Sequence, residues 1–78
     1  MAKIPYAESN GRLSVDVKLK YAADVFLVDS LNFQKYKSGQ SFTYYGGHYD
    51  RSPVSITVKG AGRWYLIVHG SDYKYRFY

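Results

Sequence analysis

Residues 44–53, with the sequence YYGGHYDRSP, hold the side chains that are best suited to bind a small molecule. Three tyrosines, a histidine and an arginine surround a Gly-Gly pair, a composition too polar for a core strand and too aromatic for an ordinary solvated loop. Amphipathic tyrosines suit a binding surface, glycine lets backbone N–H groups approach an anion, and Arg51 can bind a phosphate or carboxylate. We therefore predict a loop that binds a small anionic ligand with flat rings, such as a nucleotide. A surface hairpin loop without a ligand is the alternative.

Two residues outside this loop complete the predicted site. Arg63 follows a glycine-rich segment, and Tyr36 lies on a predicted short helix from which its hydroxyl can reach a pocket. An exposed surface charge and a helix anchor are their structural alternatives, and core packing is the better interpretation of Trp64. The predicted ligand-binding residues are Tyr36, Tyr45, Gly46, Gly47, His48, Tyr49, Arg51, Ser52 and Arg63.

The groups needed for catalysis are sparse in this sequence. It has two histidines, His48 and His69, no cysteine and a single glutamate, so a zinc or two-metal site is not expected. Ser52, His48 and Asp50 could be combined into a triad, but neighbours within one loop rarely supply that geometry. The Gly-Gly pair precedes a proline and a strand, whereas Walker and Rossmann motifs need a helix there. We predict a non-enzymatic protein with no catalytic residue, metal or cofactor.

Length and composition indicate one small domain. With 78 residues and no cysteine, residues 1–78 are expected to form a single domain of marginal stability without disulfides. A homo-oligomer is therefore expected, with the ligand at or near an interface. No apolar run approaches the roughly 20 residues that cross a bilayer, and the N-terminus lacks the apolar region of a signal peptide. We expect a cytoplasmic protein that does not enter membranes.

The formal net charge of +5 favours an anionic partner. The lysines and arginines are dispersed along the chain, whereas nucleic-acid arms usually concentrate their charge. Binding to nucleic acid is therefore only weakly indicated.

The middle of the chain predicts two strands and a helix. Residues 13–20 alternate between apolar and polar types, as in a half-buried antiparallel strand. Residues 24–29 form an apolar run typical of a central strand covered on both faces. Residues 30–39 then predict one or two helical turns, capped by Asp29 or Ser30 at the start and by Gly39 at the end.

The remaining segments predict further strands separated by turns. Pro5 suggests that residues 3–8 form an edge strand, and Asn10-Gly11 is a strong hairpin signal. Further strands are predicted at 40–45, 54–59, 63–69 and 73–78, with a tight turn at residues 60–62. The expected fold is all-β: a small antiparallel β-sandwich of about six or seven strands with one short helical crossover.

Four motifs in order resemble a known family. They are DSxNFxxYxxG at residues 29–39, YYGG at 44–47, SPV at 52–54 and GxWY at 62–65. Together they resemble DUF1883, a small bacterial and phage β-domain of unknown function that occurs alone or beside TIR domains. The resemblance implies a compact β-sandwich associated with bacterial immune signalling. This chain departs from the family at His69, where an acidic residue is frequent, and in lacking a longer glycine-rich tail.

Stand-alone members of such families also resemble phage sponge proteins, which capture cyclic nucleotide messengers. Combined with the tyrosine- and glycine-rich loop, this resemblance implies a protein that sequesters a cyclic dinucleotide or a cyclic ADP-ribose-type signal, in the host cytoplasm if the protein is viral. A module that binds protein, glycan or lipid is one alternative. A weak binder of single-stranded nucleic acid is the other.

Overall fold

The computed structural model describes residues 4–70 and 72–78. All strands join one antiparallel sheet in the order β3-β2-β4-β1-β5. The elements are β1 (Tyr6–Leu19), β2 (Ala23–Asp29), α1 (Ser30–Lys37), β3 (Tyr45–Tyr49), β4 (Val54–His69) and β5 (Tyr73–Phe77). The predicted antiparallel β class and the single short helix are confirmed. The described residues form five strands in one continuous sheet, where six or seven strands in a sandwich were predicted.

Two predicted turns lie inside long strands, which explains the lower strand count. Asn10-Gly11 does not form a hairpin: Asn10 pairs with Ala61, and Gly11 pairs with Gly60, within the ladder between β1 and β4. Gly60 and Gly62 have φ angles of +130° and +127°, which favour glycine. The glycines therefore let two long paired strands bend together, instead of reversing the chain.

The core lies on one face of this bent sheet. Alternate residues of β1 and β4 face each other across the ladder, as in the pairs Val15–Ile56 and Val17–Val54. Their side chains join those of β2 and the later part of β4 in a single apolar cluster, so the sheet wraps around its own inner face. The buried members are Leu13, Val15, Val17, Val25, Leu27, Val54, Ile56, Val58, Trp64 and Leu66. The predicted alternation and the core position of Trp64 are confirmed.

The helix covers the other face of β2 and β4. Phe33 stacks on Tyr65 with ring centroids 3.9 Å apart, and Val28 is fully buried on this side of β2. Asp29 caps the helix, because its Oδ1 accepts a hydrogen bond from the backbone N–H of Asn32. Gly39 follows the helix as predicted. β2 is thus covered on both faces, as its unbroken apolar run indicated.

Half of the segment predicted to be a binding loop, residues 45–49, is an edge strand. Residues 40–44 are not a strand, and β3 begins only at Tyr45. Gly46 has a φ of +138°, and a Cβ there would overlap the carbonyl oxygen of Val25. The glycine pair therefore allows β3 to lie close against β2.

The two ends of the chain differ in how far their predicted strands are tested. Residues 73–78 were predicted as a strand, and β5 confirms this. Of the strand predicted at residues 3–8, Lys3 lies outside the described residues. Within residues 4–70 and 72–78, no helix is long and apolar enough to cross a bilayer.

Candidate anion-binding site

The structure separates the predicted ligand-binding residues of β3 onto two faces. Side chains alternate along a strand, so the side chains of Tyr45 and Tyr49 point toward the core side, and Gly47 occupies a position on the same face. Tyr49 packs partly buried against the core cluster, and the half-exposed Tyr45 meets the ring of Trp64 edge-on at 5.8 Å. Gly46 and His48 point to the opposite face. The tyrosines therefore do not form one aromatic surface together with His48.

His48 and Tyr36 belong to a polar row that crosses three strands on the outer face. Asp24 lies between His48 of β3 and His69 of β4 in the sheet register. The Nδ1 atom of His48 lies 2.9 Å from Oδ1 of Asp24, and the Tyr36 hydroxyl lies 2.9 Å from Nε2 of His69. Both histidines are exposed and hydrogen-bonded to neighbours.

A triad from the 44–53 segment does not form. His48 pairs with Asp24 and not with Asp50, and the Ser52 hydroxyl accepts a hydrogen bond from the backbone N–H of Leu19. Among the residues that the structure describes, no group of three metal-ligating side chains could hold an ion.

Arg63 is engaged away from the predicted loop. Its Nη2 lies 3.1 Å from Oε1 of Glu8, and its guanidinium lies 4.7 Å from the ring centroid of Tyr6. These contacts hold it beside the early part of β1, past the bend of β4. The prediction that Arg63 shares a site with Arg51 is therefore not supported by its contacts.

Ser52 instead connects its loop to a cationic depression at the end of β1. The Leu19 N–H donates to Ser52 Oγ at 3.0 Å, and Arg51, which precedes Ser52, is exposed. The adjacent depression has a volume of about 360 Å³. Small-molecule sites usually occupy about 300–1,000 Å³. The depression is lined by Lys18, Leu19, Lys20, Asp72, Tyr73 and Lys74.

Sequence reasoning missed the lysines of this depression. Lys18 and Lys74 lie directly opposite each other because β1 pairs with β5, a contact between segments far apart in the chain. The alternation of residues 13–20 and 73–78 already placed both lysines on outward faces. Only the identity of the neighbouring strand was missing, and alternation does not supply it.

One carboxylate lies on the same face of β1. Asp16 Oδ1 accepts hydrogen bonds from the Ser55 hydroxyl at 2.7 Å and the Tyr78 hydroxyl at 3.0 Å. The bond from Ser55 lowers the pKa of the Asp16 carboxyl below its usual value, with Tyr78 and Arg76 acting in the same direction against partial burial. Asp16 therefore stays ionised and offsets the charge of Arg76, whose Nη2 lies 3.9 Å from its Oδ2.

The strand order and the two long bent strands define a small antiparallel β-domain with a cationic outer surface. Residues 7–75, nearly the whole chain, match the model of DUF1883, a domain of unknown function, and the chain belongs to that family. The family resemblance predicted from the four motifs is thereby confirmed. No curated protein and no solved structure matches the chain.

Proposed function

We propose that this protein binds a small anionic nucleotide without transforming it, in the depression at the end of β1. The observation that carries the proposal is the meeting of three lysines and a tyrosine in one hollow of about 360 Å³, beside the loop that holds Arg51. Three ammonium groups and a guanidinium supply the charge that a phosphodiester ligand needs.

The aromatic lining suits the base of such a ligand. Tyr73 packs partly buried against the core cluster and also lines the depression, so a base would stack on the part of its ring that stays accessible, a contact that contributes about 1–3 kcal/mol. The backbone N–H groups of Asp50, Arg51 and Ser52 would add donors of the kind that cradle phosphates; Pro53 has none. The ligand class that combines flat rings with charged phosphodiesters is a cyclic dinucleotide or a cyclic ADP-ribose-type signal.

In this proposal the protein acts as a sponge that removes a bacterial immune signal in the cytoplasm. The resemblance to a domain that occurs alone or beside TIR domains favours such a role. The depression is shallow and open, so a second copy of the chain would cover more of the ligand. A two-fold symmetric pair would also match a two-fold symmetric ligand. We therefore propose a homo-oligomer, which native mass spectrometry of the purified protein would detect together with any retained ligand.

A thermal-shift scan against cyclic dinucleotides and cyclic ADP-ribose isomers tests the proposal. A ligand present at about 100 times its Kd stabilises the folded state by about 2.7 kcal/mol. We expect this stabilisation to be lost in the double variant Lys18→Ala/Lys74→Ala and kept in the control Lys37→Ala, which removes an exposed lysine from the helix. Absence of a shift with every ligand would refute the proposal, and recovery of intact ligand after heating separates binding from hydrolysis.

A further inference from the structure

The outward face formed by β1, β4 and β5 gathers cations that are dispersed in the sequence. Side chains on this face alternate with the buried core residues of the same strands. We call this surface the cationic face. Its charged members are Arg12, Asp16, Lys18, Lys59, Lys74 and Arg76, with Lys20 just beyond the end of β1. Apart from Glu8 and Arg63, which pair with each other beyond the bend, one acid thus stands among five basic residues on the strands themselves.

Two pairs of cations lie directly opposite each other on this face. Arg12 is paired with Lys59 across β1 and β4, and Lys18 is paired with Lys74 across β1 and β5. Like charges in directly opposite positions destabilise an antiparallel sheet. Among the described residues, no carboxylate lies within ion-pair distance of these four cations. Asp16 and Asp72 line the hollows beside Lys18 and Lys74 and offset part of that repulsion, whereas the Arg12–Lys59 pair lies four strand residues away from Asp16.

The single acid is already occupied. Asp16 accepts from Ser55 and Tyr78 and lies beside Arg76. Its charge is shared with Arg76 and does not neutralise the Arg12–Lys59 pair. A sheet that keeps this repulsion and an excess of cations on one face departs from the usual consistency of stable folds, and such departures are expected at functional surfaces.

The spacing of the two pairs indicates the size of the anion. Arg12 and Lys18 are separated along β1 by roughly 20 Å, since a strand rises about 3.3–3.4 Å per residue. A single nucleotide in the depression reaches Lys18 and Lys74 but not the other pair. A chain of phosphates can contact both.

The residues between the cations favour a nucleic acid over a lipid surface. Thr57 is exposed between the two pairs and shares a hydrogen bond of 2.9 Å with the buried Ser14, and an exposed hydroxyl of this kind binds phosphates. Tyr78 is 60% exposed, with the Arg76 guanidinium 5.2 Å from its ring centroid, which offers a platform for an unpaired base. Binding to a membrane surface is strengthened by apolar side chains that insert, and the strand positions between these cations carry polar residues, namely Ser14, Asp16, Ser55 and Thr57.

We infer that the cationic face binds a single strand of nucleic acid through its phosphates, with Tyr78 stacking on a base. This surface extends beyond the depression proposed for a small nucleotide and does not depend on that proposal. The protein would contact the phosphates of the nucleic acid and the faces of its bases, which every sequence offers. The binding is therefore tolerant of nucleotide sequence and strongly dependent on salt.

Fluorescence anisotropy with labelled oligo-dT and oligo-U of about 15 nucleotides, a length that covers the site sizes of single-strand binders, tests this inference. The variants are Lys59→Glu and Lys74→Glu, and Lys37→Glu on the helix is the control with the same change in net charge. We expect each test variant to weaken binding at least about fivefold near 50 mM salt and to lower the salt slope by about one. The control should stay within about twofold of the unmodified protein.

The test variants are chosen so that misfolding cannot imitate the expected result. Lys59→Glu turns the repulsion with Arg12 into an attraction, so its melting temperature should equal or exceed that of the unmodified protein while its affinity falls. The inference would be overturned if Lys37→Glu lost as much oligonucleotide affinity as the test variants, or if the affinity did not depend on salt. Binding to phosphatidylserine vesicles without binding to the oligonucleotides would also overturn it. Lys59→Glu should leave the response to cyclic nucleotides unchanged, which separates this inference from the proposed small-ligand site.

Discussion

Gly46 has a structural role at a position where the sequence predicted a ligand-binding loop. Its φ of +138° and its close approach to the Val25 carbonyl both require glycine. The same Gly-Gly pair was predicted to cradle an anion, and the structure gives it a role in pairing β3 with β2. Sequence alone does not separate these roles, because both need a backbone without a Cβ.

The substitution Gly46→Ala should destabilise the fold by about 2–4 kcal/mol, since it adds an overlap with backbone to an unfavourable φ. Gly11→Ala is the matched control. Its φ is +135°, yet a Cβ there meets nothing within 4 Å. Gly11→Ala should therefore lose only the stability that backbone strain costs, about 1–2 kcal/mol. Urea denaturation of both variants measures the difference, and equal losses would show that the contact with Val25 is unimportant.

Asp16 gives the fold a dependence on pH in the acid range. Its lowered pKa means that the unfolded chain binds a proton more readily than the folded one. The stabilisation is therefore complete above the unfolded pKa of about 3.9 and is lost as the pH falls through the folded value. Asp16→Asn should be less stable than the unmodified protein at pH 7, and the gap should shrink as the pH falls below 4. A gap that is the same at pH 7 and pH 3, measured by thermal denaturation, would contradict this.

At the scale of elements, the helix is the feature that local sequence determines most completely. Asp29 accepts from the N–H of Asn32 and also from its side-chain amide, both at 2.9 Å. At the other end, Gly39 and Gln40 donate to the carbonyls of Tyr36 and Lys35. These are short-range contacts with recognisable residue types, so the sequence predicted the helix, its terminal glycine and two candidates for its N-cap, of which Asp29 is the cap.

Asp29→Ala should lower the free energy of unfolding by about 1 kcal/mol through loss of the N-cap. Ser30→Ala is the control at the neighbouring position, since the Ser30 hydroxyl makes only a long contact of 3.4 Å with the Arg63 carbonyl. Its effect should be within about 0.5 kcal/mol, as for other exposed substitutions. If chemical denaturation shows the two variants to be equally stable, Asp29 is not the working cap.

Strand faces were predictable, whereas strand partners and turns were not. Alternation in residues 13–20 and 54–59 identified the core-facing positions correctly, because a period of two defines a face wherever the strand lies. Ser14 was predicted on the outward face and is nevertheless buried. The same pattern does not say that β1 pairs with both β4 and β5, and that pairing creates the lysine depression. Asn10-Gly11 was predicted to form a hairpin, because the local sequence does not distinguish a reversal of the chain from a bend that two paired strands share. Most of the candidate site was missed for this reason.

At the scale of the whole molecule, excess positive charge is distributed over a very small body. The chain carries a formal net charge of +5 and spans 29 × 28 × 22 Å. At about 10 mM ionic strength the Debye length is about 30 Å, so every charge interacts with every other across the protein. At about 0.15 M the length falls to about 8 Å, and only near neighbours such as Lys18 and Lys74 still repel one another.

Salt should therefore stabilise this protein, against the common expectation that screening weakens a fold held by ion pairs. Raising sodium chloride from about 10 mM to about 150 mM should increase the melting temperature by several degrees, since about 1 kcal/mol corresponds to roughly 4–8 °C in a domain of this size. Lys59→Glu should show a smaller increase, because it removes one like-charge pair and lowers the net charge. Scanning calorimetry of both proteins across the salt range measures this. A melting temperature that falls with salt would mean that the ion pairs Arg63–Glu8 and Arg76–Asp16 outweigh the repulsion, and repulsion on the cationic face would then not support a binding role.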